Sequence, residues 1–168
     1  MLFSHNPSLE QAKQYIYSID FSMIIQKMVN HDGWCESDAV KTADLYRNFL
    51  YLNKKYATET ILPPSQDVDE FWHYHILDTK KYIQDCENIF GGYFHHYPYL
   101  IIDHQLDQHG LSQAFMRTQT LHIEEFGSPI YATRSSCLPF WYSLKRGFVK
   151  VKCLALYFYC ISKCKENS

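Results

Sequence analysis

The sequence predicts an all-α domain carrying a basic, aromatic C-terminal tail. Apolar residues recur at helical spacing from the first segments to Phe126. Cap and stop signals separate the segments: Ser8, Asp32-Gly33, Pro63-Pro64, Gly91-Gly92 and Gly127-Ser-Pro129. Strict strand-like alternation is nearly absent before the tail, so helix packing on helix is the architecture expected. The chain has 168 residues, enough for one core without disulfides or a structural metal. Hydrophobic residues make up 46% and charged residues 20%, the balance of a globular chain. With 6 Gly and 6 Pro it is neither collagen-like nor a proline-rich linker. The 14 Tyr, 11 Phe and 3 Trp are the unusual feature, and they predict a dense aromatic core or an adhesive surface.

Taken in order, Ser8 to Ser18 reads as a first helix, with Ser8 as its N-cap after Pro7. Asp20 to Met28 reads as a second, with Phe21, Ile24, Ile25 and Met28 on one side, and His31-Asp-Gly-Trp34 as a turn. A long helix follows from Ser37 to Tyr56, with a stripe of Ala39, Ala43, Tyr46, Phe49, Leu50 and Leu52. The central helix is expected over Val68 to Phe90. Ser65 or Asp67 caps it, and Asp67, Asp69 and Glu70 favour the positive end of its dipole. Its predicted inner face is Val68, Phe71, Trp72, His75, Thr79, Tyr82, Ile83, Cys86 and Phe90. Gly91-Gly92 ends it, an aromatic and histidine-rich loop runs to Tyr99, and another helix is expected from Asp103 to Phe126.

The net charge of −2 argues against general nucleic-acid binding, but the charge is unevenly spread. Residues 1–133 carry −8 and residues 134–168 carry +6, which divides the chain into an acidic helical domain and a basic tail. Within the tail Phe140 to Lys163 is read as a helix, although Phe148 to Cys153 alternates like a strand. Its apolar run, Cys153 to Ile161, is about half of a bilayer span. The first eight residues lack the charged and apolar regions of a secretory signal. The six cysteines are therefore expected as mostly reduced thiols in a cytoplasmic protein. Basic residues among aromatics suit an anionic membrane surface, which would make the protein peripheral, or a protein partner. The plainer reading is a last helix that docks on the acidic body.

The residues with most chemistry are Asp69, Trp72, His73, His75, Asp78, Tyr82, His95 and His96. Imidazole with carboxylate suits zinc, iron or manganese. His73 and His75 lie about 200° apart on a regular helix and cannot share an ion. His75 and Asp78 are three residues apart, and the loop after Gly92 can return His95 or His96 to them. The expected divalent-metal ligands are therefore His75, Asp78, His95 and His96. Asp69, Trp72, His73 and Tyr82 are expected beside them or in contact with a ligand, with Asp69 one turn from His73 and placed to orient it. The competing readings are histidines that serve folding alone, and metal-free acid–base chemistry. Cys86 falls on the predicted buried face, where a thiol is inert. The chain has no Gly-x-Ser-x-Gly elbow, phosphate-binding glycine loop or dinucleotide-binding glycine pattern.

The block Val68-Asp-Glu-Phe-Trp-His-x-His-Ile-Leu-Asp-Thr79, with Tyr82, Asp85-Cys86, Phe90-Gly91 and His95-His96-x-Pro-Tyr99, resembles the bacterial glycine-rich domain-containing protein-like family. Gly33-Trp34, Tyr46-Arg-x-Phe-Leu50 and Glu125-Phe-Gly127 extend the resemblance over roughly residues 18–127. It implies no established activity, and the chain has no glycine-rich segment. The resemblance does imply that the polar members at His73, His75, Asp78 and His95 belong to the motif as much as its apolar ones. Two functions follow as expectations. One is a helical domain binding a divalent metal through a His/Asp cluster. The other is a non-enzymatic interaction module with structural histidines and a docking tail.

Overall fold

The computed structural model describes residues 6–56, 60–97 and 108–130. The tail, its predicted helix and the start of the helix expected at Asp103 lie outside the described residues. Those residues form six helices and no strand: α1 (Leu9–Ser18), α2 (Ser22–Asp32), α3 (Glu36–Tyr56), α4 (Gln66–Leu77), α5 (Thr79–Phe90) and α6 (Gln108–Phe126). The all-α expectation holds. None of these helices is long and apolar enough to cross a membrane.

Local chemistry accounts for the boundaries. The Ser8 hydroxyl accepts from the Gln11 amide, and the Gln11 side chain accepts from the Ser8 amide, a reciprocal box that starts α1. The α2 helix runs through Asp32 to Gly33, whose φ of 65° is the left-handed closure that glycine adopts without Cβ strain. The helix therefore absorbs part of the segment expected as a turn. The Ser65 hydroxyl accepts from the Val68 amide and starts α4.

The long α3 helix is the spine and packs against α1, α2, α4 and α6. Its predicted stripe is buried throughout: Ala39, Ala43, Tyr46, Phe49, Leu50 and Leu52. Rings of Phe21, Tyr46, Phe49, Phe71 and Trp72 meet around it at centroid distances of 5.3–6.5 Å, mostly tilted or edge-on. Among the described residues, part of the aromatic excess is thus a core.

The central helix departs from expectation. It breaks at Asp78, whose ψ of 69° is not helical. Asp78 ends α4, its amide donating to Tyr74 O and His75 O, and it precedes α5 as N-cap. The hydrophobic pattern hides this break, because His75 and Tyr82 are seven residues apart, as on one continuous face. Beyond it the inner face is Tyr82, Asp85, Cys86 and Ile89, while Ile83 and Thr79 turn outward.

A polar chain crosses this core. His75 and Asp85 are 1% and 2% exposed. Tyr46 Oη lies 2.9 Å from His75 Nδ1, and His75 Nε2 lies 2.9 Å from Asp85 Oδ2. Tyr15 donates to Asp85 Oδ1 at 2.7 Å, and Lys81 Nζ lies 3.2 Å from Oδ2. With Asp85 ionised, Nε2–H donates to it and Nδ1 accepts from Tyr46, so neutral His75 satisfies both partners. Burial pushes the Asp85 carboxyl up, but the bonds from His75, Tyr15 and Lys81 outweigh it and hold it below the ordinary value. Burial, followed by the Asp85 carboxylate, pushes the Tyr15 hydroxyl up to about 12.

Of the cysteines among the described residues, Cys86 is a buried free thiol, pushed up by burial, as expected of an inert one. Cys35 is disulfide-bonded, an exception to the expectation of mostly reduced thiols.

Replacing Asp85 by Ala strands His75, Tyr15 and Lys81 and should lower stability by about 3–5 kcal/mol, whereas Tyr15→Phe should cost about 1 kcal/mol, both read by urea denaturation. Because Asp85 titrates lower in the folded state, its contribution is complete above the unfolded value of about 3.9 and is lost as the pH falls through the lower folded value. The acid limb of the stability–pH profile should flatten in Asp85→Asn.

Candidate metal centre

The outer side of α4 carries a second polar group. Asp69 and His73 are one turn apart, and the loop after α5 brings His96 against them. His96 Nε2 lies 2.8 Å from Asp69 Oδ1, and His73 Nε2 lies 3.8 Å from Asp69 Oδ2. Each carboxylate oxygen faces one imidazole. The two imidazole centroids are 4.6 Å apart. One ligand atom from each of the three residues falls within 4.8 Å of the other two.

The pair Asp69–His96 alone would be a loop tether. His73 is the member that a tether does not need. At 3.8 Å it is beyond hydrogen-bond reach of the carboxylate, and its side chain is 53% exposed. His96 is more enclosed, at 16%, with its ring 4.6 Å from that of Trp72. Two imidazoles and a carboxylate opening to solvent on one side form a donor set suited to zinc, iron(II) or manganese.

The loop has its own supports. Gly91 closes α5 with a φ of 71°. The Phe94 ring stacks on Phe90 at 4.5 Å and on Trp72 at 4.8 Å. Trp72 Nε1 donates to Tyr82 Oη at 2.9 Å, and Tyr82 donates to the Phe94 carbonyl. Burial raises the Tyr82 hydroxyl well above its ordinary value, so it stays protonated as a donor.

The other expected residues lie apart. His75 sits in the core with both ring nitrogens bonded, to Tyr46 and Asp85, and neither faces the loop. Asp78 is exposed at the helix break and lines a shallow groove with Met23, Lys27, His31, Tyr74 and Leu77. The break removes the helical i,i+3 relation on which its pairing with His75 rested. His95 is exposed, its ring 4.8 Å from that of Tyr93. Of the expected ligands only His96 is in the cluster, joined there by Asp69 and His73, whose i,i+4 spacing was their sequence signal.

Sequence reasoning did not single out His122. It is buried between Ser128 O, 2.5 Å from Nδ1, and the Asn48 side chain, 3.1 Å from Nε2. Burial lowers its proton affinity, so a neutral ring that donates to Ser128 and accepts from Asn48 ties α6 to α3.

No curated protein and no solved structure matches the chain. A family model does match, over residues 10–129. That span takes in α2 to α6 whole, the buried His75–Asp85 pair and all three residues of the outer cluster. The chain therefore belongs to the UCP032817-like family.

Proposed function

We propose that this helical protein binds a divalent metal ion through Asp69, His73 and His96. The observation that carries the reading is the approach of their three ligand atoms to within 4.8 Å. Three protein donors leave coordination positions for water, the arrangement of metal sites that activate water or polarise a bound oxygen. The solvent-facing side of His73 is where those positions open. Kinship with the bacterial glycine-rich domain-containing protein-like family belongs to the same proposal, since Asp69, His73 and His96 fall inside the block that carries the resemblance.

The cluster is half-exposed, with only His73 open to solvent, and should contribute less to folding than the buried pair. Surface ion pairs stabilise by about 0–1 kcal/mol. Asp69→Ala, His73→Ala and His96→Ala should each cost less than about 1 kcal/mol, while Trp72→Ala, which empties a core site, should cost about 3–5 kcal/mol. Chemical denaturation of the four variants checks this.

Purified protein, loaded and then desalted, should hold close to one equivalent of zinc, iron or manganese by elemental analysis. His73→Ala and His96→Ala should lose it with helicity intact, and Asp78→Ala and His95→Ala should keep it. Retention acidified stepwise should fall with pH, because only neutral imidazoles ligate. A folded His73→Ala, His96→Ala double variant that still holds one equivalent would remove the site.

A further inference from the structure

We infer that Tyr82 is the positioning residue that assembles the metal centre, by fixing the loop that delivers His96. The inference rests on the metal reading above and adds the means by which the site is built. Two of the three donors, Asp69 and His73, share one helix and hold their spacing through its backbone. The third belongs to a different segment, beyond the end of α5 and a left-handed glycine. No regular secondary structure holds that segment, since residues 93–97 are in neither helix nor strand. The bond to Asp69 holds the His96 ring, and something else must fix the backbone that carries it.

The hydrogen-bond inventory of Tyr82 identifies it. A phenol hydroxyl has one proton to give and lone pairs to accept with. Trp72 Nε1 is only a donor, and at 2.9 Å it occupies the accepting side of the hydroxyl. The single Tyr82 proton is thereby directed to the Phe94 carbonyl, two residues before His96. Tyr82 is 1% exposed, so water does not compete for either bond. The Phe94 ring, stacked between Trp72 and Phe90, fixes the same residue sideways. The Phe94 backbone also bonds to the buried Cys86 side chain. The bond from Tyr82 to the carbonyl is the second hold on the same residue, and it sets the direction in which the chain reaches His96. Trp72 joins the two ends, since it also contacts the His96 ring and lies between Asp69 and His73 in α4.

Outer residues that orient a metal ligand are typically worth roughly 10- to 100-fold in affinity. The test uses the full chain and zinc alone, titrated against a chromophoric chelator. Wild type, Tyr82→Phe, His96→Ala and the double variant are compared. Tyr82→Phe, which keeps the ring, should weaken zinc binding roughly 10- to 100-fold. In the His96→Ala background, where the chelator titration reads only the weak affinity left to Asp69 and His73, the same change should have no further effect, because Tyr82 acts through His96. Wild-type affinity in Tyr82→Phe, or a further loss of that size in the double variant, would overturn the inference. A metal-free readout keeps it separate from the metal reading: the ring nitrogen signals of His96 by NMR report the Nε2–H bond to Asp69. They should change in Tyr82→Phe, and unchanged signals would overturn the inference even where zinc binds. Absence of zinc binding by wild type would instead sink the metal reading, leaving the ring signals to judge the role of Tyr82. Should Tyr82→Phe fail to fold, Trp72→Phe frees the hydroxyl from the other side. It should move the same signals and weaken zinc, and no change in either would count against the inference.

Discussion

The Asp85 carboxylate is the interaction on which the described domain depends. It is buried, it is charged, and it receives His75 from α4, Tyr15 from α1 and Lys81 from its own helix. Through His75 it also reaches Tyr46 on α3. A lone buried carboxylate would cost several kcal/mol, so its donors are not optional. Apolar packing around α3 would tolerate small rotations of α1 or α4, because dispersion is not directional. Hydrogen bonds at 2.7–2.9 Å would not. The network therefore selects one arrangement of four helices from the several that an aromatic core of this size would accept.

Once α4 is fixed from its inner side, its outer side is fixed with it. Val68, Phe71, Trp72 and His75 face the core. Asp69 and His73 lie between them in sequence and face outward. One helix of 12 residues thus serves the core and the candidate site at the same time. The site also borrows its third member from a loop whose support, Tyr82, lies one turn into α5 and packs edge-on against His75 at 4.9 Å. The buried pair and the surface cluster are neighbours through two aromatic rings, Trp72 and Tyr82.

The helical class, the stripe of α3, the Ser8 and Ser65 caps and the Gly91 stop were legible, because each is a local signal. The break at Asp78 was not. The spacing from His75 to Tyr82 fits a continuous helix, and Asp and Thr are weak breakers on their own. That unseen break accounts for Asp78, which turns to a groove. His75 lies on the inner face of α4 with or without it, and what the sequence hid there was the pair of buried partners, Tyr46 and Asp85, that take both ring nitrogens. The residue types were legible, since Asp69, His73 and His96 all stood out. Their grouping was not, because it depends on where a loop of non-repeating backbone comes to rest. The partner of a buried histidine, here Asp85, is equally hidden, since ten residues separate the two across a break.

The place of Asp69 in the first turn of α4 carries an electrostatic consequence. The unpaired amides at a helix start present a partial positive charge, which repels a cation and attracts an anion. Asp67 and Asp69 in that turn offset the repulsion with carboxylates. The start of α4 thereby becomes an end at which a cation's approach is favoured, whereas the same carboxylates in the last turn would add to the negative end of the dipole and cost the helix stability.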